Sequence, residues 1–158
     1  MRPSNFPTIR IAQLASLYYK NQHLFSKLMQ VSDVAEIYKL FSVDLDDFWK
    51  THYTFHKASP LRIKKITKQF VDLLLINTVI PLKFNYLKGR GEVFEEDFLL
   101  LITQLKPERN SIISNFEALK VIAKDAFETQ ALLQLKNNYC AKKRCLHCAI
   151  GNVILNKT

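Results

Sequence analysis

The amino-acid sequence predicts an all-α fold: a single compact domain over residues 1–158, with about seven helices and a cysteine-bearing turn near the C-terminus. Apolar residues recur at helical spacing through most of the chain, as Ile9, Ala12 and Leu17 do near its start. Only 3 of the 158 residues are glycine, fewer than all-β folds or glycine-rich phosphate loops require. Apolar residues make up 48% of the chain, which is enough to build a sizeable core.

The first four helices are predicted from the residues that can start them. Pro7 suits the first turn of a helix, where its missing N–H costs nothing. A second helix is expected from His23 to about Gln30. Ser32 or Asp33 can cap a third helix with a side-chain oxygen, and Asp44 can start a fourth.

The middle of the chain is predicted to contain one long helix between two loops. The loops are His56–Pro60 and Lys88–Gly91, and the helix runs from Leu61 to Ile80. Pro81 should stop or kink this helix, because proline has no N–H to donate. Asn110 can cap a later helix. Three further helices are expected, over about Phe94–Gln104, Ser111–Leu119 and Ala123–Tyr139.

The charge of the chain favours an anionic partner, either nucleic acid or an acidic protein surface, because its net value is +9. No Asp or Glu occurs from Phe48 to Val71, where aromatic residues are interleaved with cations. In a helix, Arg62 and Lys65 would lie on neighbouring faces, as would Lys64 and Lys68. Such a cluster is equally typical of a solvated helix face. The residues predicted to contact phosphates are Arg62, Lys64, Lys65, Lys68, Lys142, Lys143 and Arg144.

All three cysteines lie close together near the C-terminus, at Cys140, Cys145 and Cys148. The last two have the C-x2-C spacing of a common zinc half-site, in which a short turn aims both sulfurs at one point. Structural zinc takes four ligands, so a fourth must come from elsewhere. The candidates are His52, His56 and His147, with His23 a weaker one.

Two alternatives to zinc stay open for the cysteines. An iron–sulfur cluster is less favoured, because such clusters are normally held by four cysteines. The basic residues at 142–144 favour thiolates, which helps metal binding and equally helps redox chemistry. The cysteines can instead end the last helix and pack as small apolar side chains.

The sequence contains no metalloprotease, nucleophile-elbow or phosphate-loop motif. Its acidic clusters, at 44–47 and 92–97, stand near predicted helix starts, where carboxylates interact favourably with the helix dipole. We therefore expect that this chain on its own is not an enzyme.

The compartment expected from the sequence is the cytoplasm. Met1–Pro7 contains two prolines and no apolar core, unlike a secretory leader. The most apolar run, Phe70–Leu82, contains Asp72 and Asn77 and is too short to span a bilayer, so no membrane partner is expected. An odd number of clustered cysteines is not typical of a secreted disulfide framework.

Several stretches along the chain form a pattern seen in a known family. They are Arg2–Ala15, Asn77–Pro81, Pro107–Asn110 and, near the end, Gln130–Leu135, Tyr139–Cys140 and Cys145–Gly151. This pattern resembles the C-terminal half of DUF2851, an uncharacterised bacterial family. The resemblance implies a helical domain that works beside a nuclease-like N-terminal domain lying outside this chain.

Three functions are consistent with these observations. The working hypothesis is an accessory domain that binds nucleic acid in support of the nuclease-like domain. The second is a structural or oligomerisation domain with no ligand of its own, including a homo-oligomer. The third is a thiol or iron–sulfur redox module.

Overall fold

The computed structural model of the chain describes residues 6–92 and 95–156. These residues form helices almost throughout, with one two-stranded hairpin, so the all-α prediction is confirmed. The chain divides into two compact units, Met1–Phe94 and Glu95–Thr158. Each unit has its own set of buried apolar side chains.

The N-terminal unit contains helices and a small hairpin. The helices are α1 (Pro7–Lys20), α2 (Leu24–Gln30), α3 (Val34–Phe41), α4 (Asp47–Thr51), α5 (Lys68–Leu74) and α6 (Ile80–Gly89). The hairpin follows α4 and pairs β1 (His52–Thr54) with β2 (Lys57–Ala58) in antiparallel fashion. It lies partly where the sequence predicts a loop.

Side-chain caps set where the helices of this unit begin. The Asp33 carboxylate accepts a hydrogen bond from the Ala35 N–H (3.1 Å), which confirms one of the two predicted caps of α3. The Asp46 carboxylate accepts from the Phe48 N–H (2.9 Å), so α4 begins later than the predicted Asp44. Since each cap satisfies an amide that has no partner inside the helix, it fixes the first turn.

The long helix begins and ends later than predicted. Residues 61–67 are not helical; the Thr67 hydroxyl accepts from the Phe70 N–H (3.2 Å) and α5 begins at Lys68. The helix also continues past Pro81, since α5, a π-helical turn at Leu75–Val79 and α6 form one helix over Lys68–Gly89. Pro81 cannot donate to a carbonyl of the preceding turn. The wider π turn directly before it accommodates this loss.

Polar links join the helices of the N-terminal unit around an apolar core. The core includes Ile9 and Leu17 of α1, Ile37 of α3 and Leu75 of the long helix. The buried Asn21 amide donates to the Leu40 carbonyl (3.0 Å). Each fully buried aliphatic side chain contributes about 1.5–3 kcal/mol to folding, so these contacts dominate the stability of the unit.

The hydroxyl of Tyr38 in α3 donates a hydrogen bond to the Asp72 carboxylate in α5. Partial burial, and then the bond to Asp72, raise the pKa of Tyr38 above its ordinary value. The phenol therefore stays protonated and keeps donating to Asp72 at pH values at which a Tyr in water has begun to ionise.

The helix Lys68–Gly89 has the length and composition of a membrane span. The most apolar run within it, Phe70–Leu82, is by itself shorter than a span requires. One face of it, including Val71, Leu75, Ile76 and Val79, is buried inside the N-terminal unit. The core helix of a globular protein gives the same pattern of length and composition.

The C-terminal unit also consists of helices. They are α7 (Glu95–Thr103), α8 (Ser111–Ala118), α9 (Ala126–Gln134), which continues as a π-helical segment (Leu135–Cys140), a 3₁₀ turn (Cys145–His147) and α10 (Ala149–Leu155). The predicted start of α7 at Phe94 lies outside the described residues. The Asn110 side chain accepts from the Ile113 N–H (3.0 Å), as predicted for the cap of α8. The Asp125 carboxylate accepts from Glu128 N–H (2.9 Å), so α9 begins later than the predicted Ala123.

The last helix, α10, was not expected from the sequence. It packs against the 3₁₀ turn at Gly151, where a Cβ atom would lie 2.3 Å from the Cys145 carbonyl oxygen. Only glycine permits this approach, because the atom in the way belongs to the backbone and not to a flexible side chain.

Replacing Gly151 by Ala should therefore lower the free energy of unfolding by about 1–3 kcal/mol, as overpacking does elsewhere. The matched control is Gly89→Ala, because a Cβ at Gly89 meets no heavy atom within 4 Å. That variant should unfold at the wild-type midpoint or slightly above it, since Ala favours helix over Gly. Urea unfolding followed by circular dichroism compares the two, and equal midpoints would contradict the close approach.

Candidate nucleic-acid interface

Arg62, Lys64 and Lys65 of the first basic cluster lie on a non-helical segment, residues 59–67, and not on a helix as predicted, whereas Lys68 is the first residue of α5. Backbone hydrogen bonds hold this segment against α4: the Ser59 N–H donates to the Thr51 carbonyl (2.7 Å), and the Arg62 N–H to the Lys50 carbonyl (2.8 Å). The predicted helical spacing of Arg62, Lys64 and Lys65 therefore does not apply.

Lys64 holds the end of α4. Its ammonium group donates to the carbonyl oxygens of Trp49 (2.5 Å) and Lys50 (3.0 Å), and it lies 4.2 Å from the centre of the Tyr53 ring. A cation among the last carbonyls of a helix satisfies acceptors that have no partner in the helix and interacts favourably with its dipole. This gives Lys64 a structural role in addition to any contact with a ligand.

The other cations of this cluster are exposed. Lys65 forms an ion pair with Asp44 (2.9 Å), and the hydrogen bond from Lys65 holds the pKa of Asp44 below its ordinary value. Lys68 lies 5.2 Å from the centre of the Tyr38 ring. Arg62 has no ion pair among residues 6–92 that the structure describes in this unit. Because exposed ion pairs are weak, a phosphate can compete with Asp44 for Lys65.

A small pocket of ≈ 320 Å³ lies beside this segment. Its walls include Trp49 and Ile63, and Lys50 and Lys65 also line it. Trp49 also packs on neighbouring aromatic side chains: the centres of the Trp49 and Phe55 rings are 5.4 Å apart, and those of the Phe48 and Trp49 rings 5.1 Å apart. The pocket therefore offers one aromatic wall next to cations and to the Asp44 carboxylate that pairs with Lys65.

The second basic cluster, Lys142, Lys143 and Arg144, belongs to the C-terminal unit. Its three residues are consecutive and lie in the turn that follows the π-helical segment. All three are exposed. Lys143 adopts a left-handed backbone (φ 54°), and the Lys142 ammonium donates to the Asn138 side-chain oxygen (3.0 Å). Arg144 lines a shallow pocket of ≈ 550 Å³.

Gln134, Asn138 and Tyr139 line this pocket together with Arg144 and His147, although the sequence does not predict the first three as site residues. Polar residues on a helix are usually solvated, so their types alone gave no signal. A usable signal was present in the charge pattern, because residues 129–158 contain no Asp or Glu.

The three thiols do not converge. Cys140 and Cys145 are exposed, whereas Cys148 is buried. The predicted short turn is present, because the Cys148 N–H donates to the Cys145 carbonyl (3.2 Å). The Cys145 side chain is exposed, however, and the Cys148 side chain is buried. The C-x2-C spacing here is that of a 3₁₀ turn leading into α10.

The histidines considered as a fourth ligand have separate surroundings. The His52 ring stacks on Phe48, with 4.1 Å between ring centres, and its Nδ1 lies 3.0 Å from the Phe48 carbonyl oxygen. His56 is exposed in the hairpin, and His147 lines the C-terminal pocket. Over residues 6–92 and 95–156, no three His, Cys, Asp or Glu side chains are grouped so that they could hold a metal ion. The described geometry thus does not fit the predicted zinc or iron–sulfur site.

The fold and the clusters define the chain as an all-α, strongly basic protein. It belongs to the family described as "Protein of unknown function (DUF2851)", which matches residues 1–111 and confirms the resemblance. The match covers the first three predicted landmarks, and the cysteine-bearing stretch lies beyond it. No curated protein and no solved structure matches the chain.

If only Cys148 packs in the interior, Cys148→Ala should lower the free energy of unfolding by about 1 kcal/mol, with or without a chelator. The matched control Cys145→Ala should change it by less than about 0.5 kcal/mol, because that side chain is exposed. Thermal unfolding with and without EDTA, beside elemental analysis of the same sample, measures both. A Cys145→Ala effect that disappears on chelation, with bound zinc, would contradict this expectation and favour a metal site.

Proposed function

We propose that this chain is an accessory domain that binds nucleic acid, in support of the nuclease-like domain that its family resemblance implies. The observation that carries the proposal is a set of exposed cations in the N-terminal unit, Arg62 and Lys65 on the segment and Lys68 at the start of α5, which lie in an acid-free window of the sequence. Nucleic-acid backbones are recognised chiefly through such cations.

The attachment of the segment supports the proposal as well as its charge. Backbone hydrogen bonds from Ser59 and Arg62 to α4 hold the part of the chain that carries Arg62 and Lys65. The adjacent pocket adds the Trp49 wall, and aromatic faces near cations are suited to unstacked bases. The second cluster, Lys142, Lys143 and Arg144, contributes further positive charge on the C-terminal unit.

Binding should therefore depend steeply on salt, and the segment should set that dependence. Replacing Arg62, Lys65 and Lys68 together by Gln should weaken binding of a labelled DNA duplex or single-stranded RNA. It should also make the slope of log affinity against log salt shallower by about 0.9 for each duplex phosphate that the variant no longer neutralises. Fluorescence polarisation at several salt concentrations measures both quantities.

The matched control removes the same charge elsewhere in the N-terminal unit, by replacing Lys27, Lys39 and Lys88 with Gln. All three are exposed helical lysines outside the segment. If both triple variants lose the same affinity and slope, binding depends on net charge alone and the assigned segment is wrong. An affinity of the wild type that does not change with salt would contradict nucleic-acid binding altogether.

A second candidate function is docking to the nuclease-like domain, and the outer face of α1 favours it. Ile11, Leu14 and Tyr18 recur at helical spacing there and are 66%, 53% and 61% exposed. Ile11 also lines an apolar groove of ≈ 310 Å³ whose other walls include Trp49 and Phe55. A contiguous exposed apolar surface of this kind is typical of an interaction site.

Leu14→Gln should then weaken binding to the nuclease-like part of a full-length family member, while stability changes by less than about 0.5 kcal/mol. The matched control is Leu100→Gln in α7, since Leu100 is similarly exposed at 63%. Isothermal titration calorimetry measures the affinity, and sedimentation of the chain alone detects self-association. Equal binding by both variants would exclude this face, and self-association that disappears in Leu14→Gln would identify a homo-oligomer contact instead.

A further inference from the structure

The pocket of the C-terminal unit is built by three consecutive pieces of chain. Gln134 ends α9, Asn138 and Tyr139 belong to the π-helical segment, and Arg144 and His147 come from the turn and the 3₁₀ turn that follow. Its volume of ≈ 550 Å³ lies in the range of small-molecule pockets, roughly 300–1,000 Å³.

Backbone hydrogen bonds hold the two sides of this pocket together. The Arg144 N–H donates to the Tyr139 carbonyl (3.0 Å), and the His147 N–H donates to the Arg144 carbonyl (3.1 Å). Between Tyr139 and Arg144, the left-handed backbone at Lys143 turns the chain. Because these bonds close the turn, Arg144 and His147 line the same pocket as Asn138 and Tyr139 without help from distant parts of the chain.

The charge around the pocket selects an anionic ligand. No carboxylate side chain occurs in residues 129–158, while Lys136, Lys142, Lys143 and Arg144 all lie in that stretch. The Lys142 ammonium is held beside the pocket by its hydrogen bond to Asn138. An Arg guanidinium presents paired N–H donors in a fixed plane, which suits the oxygens of a phosphate.

The remaining lining groups suit a heterocyclic base. Gln134 and Asn138 carry side-chain amides, which can both donate to and accept from a base edge. Tyr139 is partly buried and supplies an aromatic ring on which a base can stack. Inorganic phosphate alone would leave the amides and the ring unused, whereas a phosphate joined to a base uses all five lining residues.

We infer that this pocket binds one nucleoside monophosphate, with the phosphate at Arg144 and His147 and the base at Tyr139, Gln134 and Asn138. The ligand is either a free nucleotide or the 5′-phosphorylated terminal nucleotide of a strand. The inference deepens the proposed function. It rests on that function, because the proposed nucleic-acid binding assigns a phosphate contact to Arg144.

The test uses the full chain and three separate probes: 5′-AMP, adenosine and inorganic phosphate. Calorimetry should show that 5′-AMP binds at least about tenfold more tightly than either of the other two. Arg144→Gln should weaken 5′-AMP binding by at least about tenfold. The matched control Arg109→Gln, at another exposed Arg of the same unit, should not change it.

A second variant keeps the test decisive if Arg144→Gln fails to fold. Asn138→Asp alters an exposed position and places a carboxylate at the pocket, so it should also weaken 5′-AMP binding. Circular dichroism checks that each variant is folded. Wild-type affinity for 5′-AMP in both folded variants, or equal affinity for 5′-AMP and adenosine, would overturn the inference.

Oligonucleotides with and without a 5′-phosphate separate the two ligand sources and the two proposals. Tighter binding of the phosphorylated strand, abolished by Arg144→Gln, would identify a strand end as the ligand. Binding of 5′-AMP without binding of any strand would leave the pocket assignment standing while the proposed function fails. If strands bind with the expected salt dependence, but 5′-AMP does not bind and the 5′-phosphate has no effect, the inference fails while the proposed function stands.

Discussion

The C-terminal end of α4 is the point that fixes the shape of the basic segment. The Lys64 ammonium donates to the carbonyls of Trp49 and Lys50, the Arg62 N–H also donates to the Lys50 carbonyl, and the Ser59 N–H donates to the Thr51 carbonyl. The Lys64 carbonyl in turn accepts from the side-chain amide of Gln13, which is 4% exposed in α1. An unsatisfied polar group at that depth would cost about 1–3 kcal/mol, so α1, α4 and the segment are fixed together. The positions of the exposed cations follow from this junction.

The sequence predicts those parts of the fold that depend on neighbouring residues. Apolar spacing locates most helices, and the caps at Asp33 and Asn110 follow from side-chain chemistry within one turn. The non-helical course of residues 61–67 could not be predicted in this way. It depends on hydrogen bonds to α4 and on Gln13, about fifty positions away, and such contacts override local helical preference.

The candidate site shows the same division between local and distant information. Composition and charge identify the exposed cations, because Arg and Lys rarely lie in a core. They do not reveal that Lys64 holds a helix end, which requires knowledge of a partner carbonyl. The cysteine spacing was ambiguous for a related reason. A 3₁₀ turn before a helix and a zinc half-site both place two cysteines three positions apart, so the spacing alone does not distinguish them; the structure adds that Cys148 is buried and Cys145 exposed.

The π turn before Pro81 also sets the rotational phase of the helix that follows it. A π turn is equivalent to one residue inserted into an α-helix. Converting the turn at Leu75–Val79 to regular α geometry at unchanged length would rotate everything beyond it by about 100°. Ile80 and Lys83, both buried now, would then leave the interior, while residues on the exposed side would enter it. Deleting one residue from the turn would instead restore regular α geometry with Ile80 and Lys83 still on the buried side.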